Sequence, residues 1–417
     1  MKFSKSSQLF LVSSIGLLVA TLLAACSVAT VDYVFVTSAP ATVNGQIYTF
    51  DADSESGALR TGPAAVSSGG VDPVAMAVTS DYANLYVANK TSGTVVHFTI
   101  GSNGVLTQQS DTITNITASV ALVAPVALAV NSAGTYLYVV SGTTSATLSE
   151  YALSSGTIST PTKATATQTL TLSGYASDTM VPTGITVLAN TSTVSGNGVY
   201  VTAYDQSAYN PGCTPQSTCI TSSANPGWVF GFTVGTAGAL TATANSPYEA
   251  GVMPSGIASS PTDLYLYVTD YAKNELIGYS ILSSSTLNLL GGSDSTTATG
   301  NEPSAVAIDP RGLFIYVSNA GDNTVSAYAI TLATGAPTVV VNSSSKTDTR
   351  PVAIAVDPAL GRFVFTANYL GSSLSGFRLN PTSGALTATQ ATPYPTPDPT
   401  ALVIAPHGNH ATESVSP

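Results

Sequence analysis

The sequence predicts an all-β protein, a seven-bladed β-propeller built of four-stranded blades. The first observation is a unit of short β-branched and aromatic runs bounded by Gly, Pro, Asn or Asp, clearest at residues 302–338. Such runs are typical of strands joined by tight turns. The second observation is recurrence of this unit, and a repeat of about 40–50 residues is typical of a propeller blade. Seven prolines open the units: Pro73, Pro125, Pro182, Pro254, Pro303, Pro351 and Pro399.

The third observation concerns the two ends of the repeat. Residues 399–406 form a first strand that no second strand follows, whereas residues 33–37 form a second strand that no first strand precedes. Pairing these segments completes one blade and removes two sheet edges that would invite aggregation. We therefore expect residues 402–405 to pair with residues 34–36. A linear β-solenoid is the alternative, and complementary half-blades argue against it.

Length and composition are compatible with one domain in an exported protein. Of the 417 residues, 44% are hydrophobic and only 8% are charged, so the surface must be covered mainly by Ser, Thr, Asn, Gln and Gly. The net charge is −11, and −13 after loss of a leader that contains Lys2 and Lys5. Nine scattered Lys and Arg residues then remain, whereas nucleic-acid binding requires clustered ones. We therefore expect no nucleic-acid partner, and we expect a monomer.

The N-terminus has the pattern of a bacterial lipoprotein leader. Lys2 and Lys5 precede an apolar run at residues 9–23, and small residues lead to Cys26. This order predicts a signal peptide at residues 1–25 and a lipid on the Cys26 thiol. The alternatives are an ordinary signal peptide with a chance cysteine and a membrane helix, for which the run is short.

The lipoprotein pattern determines the predicted domain order and location. Residues 26–31 are a lipidated tether, residues 32–406 the propeller and residues 407–417 a polar tail. A tether this short spans roughly 20 Å, so the propeller would sit close to its membrane. We expect an exported, membrane-anchored protein in the periplasm or at the cell surface.

The fourth blade, counting the shared terminal blade as the first, contains an insertion at about residues 203–227. The insertion holds Cys213 and Cys219, which we predict to form a disulfide. Two free thiols are the alternative, and a metal pair is disfavoured because no histidine lies nearby in sequence. We expect the insertion to form one wall of the main pocket.

The second strand of the unit carries a recurring motif. Residues 86–89, 267–270 and 316–319 read Tyr-Val-Ala-Asn, Tyr-Val-Thr-Asp and Tyr-Val-Ser-Asn. The motif resembles the Tyr-Val-Thr-Asn repeat of the lactonase-like seven-bladed β-propellers, over roughly residues 32–406. The resemblance implies the fold, and it implies a sugar lactonase related to 6-phosphogluconolactonase as a candidate activity.

Resemblance to other propellers also orients the chain. The proline-led strand would be innermost and would start at the face that carries the loops between blades and between second and third strands. We call this the top face. Tyr33 would then start at the bottom face, with the lipid anchor, His407 and His410.

The predicted ligand site is the top mouth of the channel. Acidic residues collect there, with Arg350 as an embedded counter-charge, and aromatic rings beside carboxylates suit sugars or extended peptides. The alternatives are that the acids cap turns and that the tyrosines pack against loop prolines. The candidate ligand-binding residues are Asp72, Asp205, Asp270, Glu302, Arg350, Asp398, Tyr204, Tyr209, Trp228, Tyr271 and Tyr369.

Two functions from different classes fit these residues. A lactonase needs a base for water and a donor for the oxyanion, and Glu302 or Asp72 could be the base and Arg350 the donor. Family enzymes typically carry Arg or His just after the opening proline, and none of the seven units has a basic residue there. We therefore favour binding of an unknown envelope ligand or protein, a glycan or peptide, over lactone hydrolysis. No metal-spaced cluster or phosphate loop is present in the sequence, so we expect no cofactor.

Overall fold

The computed structural model describes residues 29–40, 43–114, 123–143, 145–172, 179–189, 198–209, 226–292 and 296–415. These residues form seven antiparallel sheets, and two short 3₁₀ segments at Thr236–Gly238 and Gly408–Thr412. The predicted all-β class and the seven blades are confirmed. Within the described part of the chain, no helix is long and apolar enough to cross a membrane. The predicted lipidation site Cys26 and both cysteines of the insertion lie outside the described residues.

Strands are numbered in chain order, and each blade is given from its innermost strand outward. Blade 1 contains β33 (Pro399–Pro406), β1 (Thr30–Ser38), β2 (Gln46–Asp53), β3 (Leu59–Thr61) and β4 (Val66–Ser67). Blade 2 contains β5 (Pro73–Val78), β6 (Asn84–Asn89), β7 (Thr94–Ile100) and β8 (Leu106–Gln108). Blade 3 contains β9 (Pro125–Val130), β10 (Tyr136–Ser141), β11 (Thr147–Ser154), β12 (Thr157–Ile158) and β13 (Ala166–Thr169). Blade 4 contains β14 (Met180–Val187), β15 (Gly198–Asp205), β16 (Gly227–Val234), β17 (Leu240–Ala242) and β18 (Tyr248–Glu249).

The last three blades follow the same order of strands. Blade 5 contains β19 (Pro254–Ser259), β20 (Tyr265–Asp270), β21 (Glu275–Ile281), β22 (Leu287–Leu289) and β23 (Thr296–Ala298). Blade 6 contains β24 (Pro303–Ile308), β25 (Phe314–Asn319), β26 (Thr324–Ile330) and β27 (Pro337–Lys346). Blade 7 contains β28 (Pro351–Val356), β29 (Phe363–Asn368), β30 (Ser373–Leu379), β31 (Leu386–Ala388) and β32 (Tyr394–Pro395).

The outermost strand of most blades is broken into two short pieces. In blades 1, 3, 4, 5 and 7 both pieces pair with the same third strand, so the count of four strand positions per blade holds. A broken outer strand presents only a short run of unpaired backbone, which limits edge-to-edge association.

The ring closes through the two ends of the repeat, as predicted. Strand β33 is the innermost strand of blade 1 and pairs antiparallel with β1, in the register Val34 with Ile404, Phe35 with Val403 and Val36 with Leu402. Because the innermost strand comes from the C-terminus and the others from the N-terminus, both termini are required to complete the sheet.

The tyrosine of the recurring motif links neighbouring blades. Tyr267 in blade 5 donates a hydrogen bond of 2.6 Å to the Gly335 carbonyl of blade 6, and Tyr316 in blade 6 donates one of 2.9 Å to Gly384 of blade 7. Both tyrosines are fully buried. The motif therefore has a structural cause, because its ring fills the core between blades while its hydroxyl satisfies a turn carbonyl of the next blade.

Candidate functional site

The top face is defined by one repeated backbone contact. The carbonyl before the opening proline accepts a hydrogen bond from the residue that follows the second strand of the same blade. Ala320 N–H donates to Glu302 at 2.8 Å, and Tyr369 N–H donates to Arg350 at 2.9 Å. The loops between second and third strands therefore lie beside the start of each inner strand, in agreement with the predicted orientation.

Three candidate side chains from adjacent blades meet at this face. Tyr271 follows β20 in blade 5, Glu302 precedes β24 in blade 6 and Arg350 precedes β28 in blade 7. The Tyr271 hydroxyl donates a hydrogen bond of 2.6 Å to Glu302 Oε2, and Arg350 Nη2 donates one of 3.4 Å to the Tyr271 hydroxyl. Arg350 Nη1 lies 3.6 Å from the same Glu302 oxygen. We call these three residues the mouth cluster.

The mouth cluster is held by its backbone. Glu302 and Arg350 have φ angles of +53° and +58°, in the left-handed region that L-residues rarely adopt. The N–H of Glu302 donates to Asn274 Oδ1 and that of Arg350 to Asn323 Oδ1, at 2.8 and 2.7 Å. Asn side chains of the preceding blades therefore fix the direction in which Glu302 and Arg350 leave the ring.

The side chains of the mouth cluster bond to one another and are also accessible to solvent. The side chains of Glu302 and Arg350 are 40% and 41% exposed. Burial, together with the bond to Glu302, raises the pKa of Tyr271, which therefore remains a hydrogen-bond donor at neutral pH. A carboxylate, a phenol and a guanidinium at an open surface can bind a polar ligand or assist proton transfer.

Three further candidates lie on the top face outside this cluster. Asp72 and Asp398 occupy the same position before the opening proline in blades 2 and 1, and both are half-buried. Asp72 accepts a bond of 3.3 Å from Thr91, and Tyr369 is 38% exposed beside Leu370. No hydrogen bond found among the described residues joins Asp72, Asp398 or the Tyr369 side chain to the mouth cluster.

Two of the predicted acidic ligands are turned into the protein. Asp270 is fully buried, and its oxygens accept four backbone N–H bonds, from Val252, Met253, Ala272 and Lys273. Asp205 is 7% exposed and caps its turn by accepting the Ser207 N–H. Asp205 and Asp270 therefore stabilise the local backbone, as expected if top-face acids cap turns, whereas Glu302 remains accessible.

The aromatic residues beside the insertion also differ from expectation. Tyr204 and Tyr209 are 6% and 1% exposed, and they pack edge to face around Val252. Trp228 is half-buried against the blade 4 core, and its indole N–H has no acceptor among the described residues. These rings therefore pack in the protein. Residues 210–225 of the insertion predicted to form the pocket wall, and with them the predicted disulfide between Cys213 and Cys219, lie outside the described residues.

The positions just after the opening prolines strengthen the ring. Ser255 donates to the Pro303 carbonyl at 2.5 Å, Ser304 to Pro351 at 2.7 Å and Thr400 to Pro73 at 2.6 Å. Each bond runs from one blade to the next, so these hydroxyls contribute to closure.

A second polar cluster lies at the opposite, bottom face. It contains Asp32, Asp357, His410 and Glu413, which sequence reasoning did not bring together because they come from three separate parts of the chain. Burial, followed by repulsion from Asp357, raises the pKa of Asp32 well above its ordinary value. Burial alone would lower the pKa of His410, but its bonds to Asp357 and Glu413 raise it to about 9.

Comparison with known proteins extends the family resemblance. Residues 228–404 match the family described as Lactonase, 7-bladed beta-propeller. The solved structures that resemble the chain include a candidate 6-phosphogluconolactonase from Bacteroides fragilis, with 15% identity over 91% of this chain and 99% of that one and a TM-score of 0.69. They also include the periplasmic gluconolactonase PpgL of Pseudomonas aeruginosa, with 18% identity over 90% and 99% and a TM-score of 0.68. No curated protein matches the chain.

All three residues of the mouth cluster fall within the matched segment 228–404. The structural similarities cover nearly the whole propeller, and at these identities they show the fold alone. The protein therefore has the seven-bladed β-propeller fold, and its residues 228–404 match the model of the lactonase family of such propellers.

Proposed function

We propose that the protein is a lactonase-like hydrolase that opens a sugar lactone at its top mouth. The observation that carries the proposal is the mouth cluster, in which a carboxylate, a phenol and a guanidinium from three adjacent blades lie within 3.6 Å of one another at an exposed face. The lactonase family match over the same blades supports it. Relative to the sequence-based preference for binding, these two observations favour hydrolysis.

The chemistry assigns one role to each residue. Glu302 takes a proton from a water molecule, whose oxygen attacks the lactone carbonyl carbon. Arg350 donates hydrogen bonds to the oxyanion that develops on the carbonyl oxygen. The ring C–O bond then breaks, the released alkoxide takes the proton back from Glu302, and the product is the open-chain sugar acid. Tyr271 positions the Glu302 carboxylate through its bond of 2.6 Å.

The charge of the mouth cluster points to the substrate. Arg350 is the single cation in it, beside the carboxylate of Glu302. A phosphorylated sugar lactone would carry about two negative charges on its phosphate and would be bound best by several Arg or Lys side chains. We therefore propose an unphosphorylated sugar lactone. We also retain the proposal that the enzyme is exported and anchored through Cys26.

A second candidate function is binding of a glycan or peptide by the same face. It is favoured by the seven positions after the opening prolines, which read Val, Val, Thr, Ser, Ser, Val and Thr and contain no basic side chain. In that case the mouth cluster would recognise hydroxyl or amide groups without turnover.

Acid release from a panel of sugar lactones separates the two functions. The panel should contain five- and six-membered lactones with and without a phosphate, and spontaneous hydrolysis should be subtracted. We expect Glu302→Gln to lower kcat by about 10²–10⁴-fold and Arg350→Gln to lower it by about 10²–10³-fold. Arg378→Gln, at an exposed position on the third strand of blade 7, is the matched control and should retain activity. No acceleration with any lactone, combined with retention on a glycan array, would favour binding instead.

A further inference from the structure

Three ionisable side chains meet at the bottom face, where blade 1, blade 7 and the C-terminal tail come together. Asp32 lies near the start of β1, Asp357 follows the inner strand β28 and His410 belongs to the tail after β33. Asp32 and Asp357 are fully buried and His410 is 5% exposed. One potential ligand atom from each residue lies within 4.8 Å of the other two.

The carboxylate of Asp32 is buried without a hydrogen-bond partner among the described residues, which distinguishes this cluster from a group of surface charges. Both of its carboxylate oxygens are enclosed, and neither has a hydrogen-bond partner in the described part of the chain. A buried ionised carboxylate is strongly unfavourable unless a cation or donors compensate it. His410 Nε2 lies 3.5 Å from Asp32 Oδ1. The unpartnered carboxylate is therefore directed at the imidazole and at the space that the imidazole shares with Asp357.

The imidazole of His410 is oriented for ligation. Its Nδ1 lies 2.6 Å from Glu413 Oε2, a distance at which Nδ1–H donates to the carboxylate. In the neutral ring Nε2 then carries a lone pair, and it faces Asp357 at 3.3 Å and Asp32 at 3.5 Å. Two carboxylates facing Nε2 require a positive charge between them, which a proton on Nε2 supplies in the metal-free protein and a metal ion supplies when it replaces that proton. A carboxylate on the far nitrogen of a ligating histidine is the usual arrangement at metal sites.

The two separations from the imidazole fit a small divalent ion better than direct ion pairs. Charge-assisted N–H···O bonds are typically about 2.7–2.9 Å long, and the separations here are 3.3 and 3.5 Å. In a tetrahedral site with bonds of about 2.1 Å, neighbouring ligand atoms are about 3.4 Å apart. Asp357 is fixed in place by the N–H groups of Ala359 and Arg362, at 2.9 and 3.0 Å.

The donor set and the charge select the class of ion. Two carboxylates and one imidazole suit zinc and related transition metals, whereas calcium and magnesium prefer oxygen ligands alone. With Glu413 and the nearby guanidinium of Arg362, the surrounding charges sum to −2, which a divalent cation neutralises. A cavity of about 530 Å³, lined in part by Arg362, His407, His410 and Glu413, opens beside the cluster and gives access.

We propose that Asp32, Asp357 and His410 bind one divalent transition-metal ion of the zinc class, with Glu413 orienting the imidazole. The ion would link the first strand, the last blade and the tail. It would therefore stabilise the ring at the place where the N- and C-terminal strands close it. This site lies on the face opposite the mouth cluster, so the proposal is independent of the proposed hydrolase activity.

Titration of the chelator-treated full chain with Zn²⁺ tests the site. Calorimetry should show saturable Zn²⁺ binding to the wild type. The affinity should fall more than 100-fold in His410→Gln and in Asp32→Asn, because each substitution removes a ligand. His410 lies beyond the last blade strand, so its substitution changes no residue of the sheets. Glu413→Gln should lower the affinity by about 10–100-fold, as expected for an outer partner. His407→Gln is the control, since its ring packs on Tyr33 at 4.6 Å and it is outside the ligand set; its affinity should be unchanged.

The absorption spectrum of bound Co²⁺ distinguishes this site from binding by the cysteine thiols. Co²⁺ bound by carboxylates and imidazole should show visible d–d bands without a thiolate charge-transfer band, and the bands should disappear in His410→Gln. Zn²⁺ should raise the Tm of the wild type and leave that of His410→Gln unchanged. Absence of saturable binding, equal affinity in wild type and His410→Gln, or a cobalt spectrum dominated by thiolate bands would each overturn the proposal.

Discussion

The buried carboxyl of Glu150 should make folding stability depend on pH. Glu150 lies on β11 in blade 3, opposite Tyr138, and is fully buried. Neither of its oxygens accepts a hydrogen bond of good geometry from the described residues. Burial raises the pKa of Glu150 from 4.5 to about 7, and the Tyr138 hydroxyl offsets only part of this effect.

The sign follows from proton linkage. Between pH 4.5 and about 7 the folded protein retains a proton on Glu150 that the unfolded chain releases, so stability falls as pH rises through this window. At about 1.4 kcal/mol per pH unit, the loss reaches about 3 kcal/mol above pH 7. Glu150→Gln is neutral at every pH and escapes this loss. Relative to wild type, the variant should therefore gain about 3 kcal/mol between pH 4.5 and pH 8.

Urea unfolding from pH 4.5 to pH 8 measures this difference. The wild-type midpoint should fall relative to that of Glu150→Gln as pH rises, while Glu55→Gln, at an exposed loop position, should follow the wild type. Wild-type and Glu150→Gln midpoints that stay parallel across the whole range would contradict a raised pKa of Glu150 in the folded protein.

Further predictions concern the ring and the anchor. Tyr316→Phe removes the buried bond to the Gly384 carbonyl, and urea midpoints should show a destabilisation of about 1–3 kcal/mol; an unchanged midpoint would contradict the structural role of the motif tyrosine. Gly384→Ala places a Cβ 2.3 Å from the Phe314 ring at a φ of +72°, whereas Gly134→Ala, at +64°, meets nothing within 4 Å. Gly134→Ala should therefore lose only about 1–2 kcal/mol of folding stability, from backbone strain, and Gly384→Ala should lose distinctly more. Equal urea midpoints for the two variants would argue against the clash. Cys26→Ser should release the protein from membranes or leave an uncleaved precursor, and unchanged fractionation and lipid labelling would contradict the lipoprotein prediction.

The fold could be predicted because its signals are local and repeated. Each blade uses the same opening proline and, in several blades, the same motif tyrosine, whose role is to bond to the neighbouring blade. Seven copies of one pattern indicate a ring even when single copies, such as that around Pro182, are distorted. The pairing of the terminal strands could be predicted because each half-blade lacks the strand that the other supplies.

The geometry of the candidate site could be predicted only in part because burial depends on contacts that the sequence does not show. Asp270 and Glu302 are both acids at the top face, yet Asp270 is enclosed by four backbone N–H groups whereas Glu302 faces solvent. Tyr204 and Tyr209 are predicted as top-face ligands, yet both are buried and pack with Val252 in the connection between blades 4 and 5. The bottom cluster could not be predicted because Asp32 and His410 lie near opposite ends of the chain.

The most direct test of the proposed function is the kcat/KM of wild type, Glu302→Gln and Arg378→Gln on an unphosphorylated sugar lactone, measured as acid release at constant pH. We expect turnover well above spontaneous hydrolysis for wild type and Arg378→Gln, and a loss of about 10²–10⁴-fold for Glu302→Gln. Wild-type turnover that Glu302→Gln leaves intact, or no wild-type turnover at all, would contradict the assignment of the mouth cluster as a hydrolytic site.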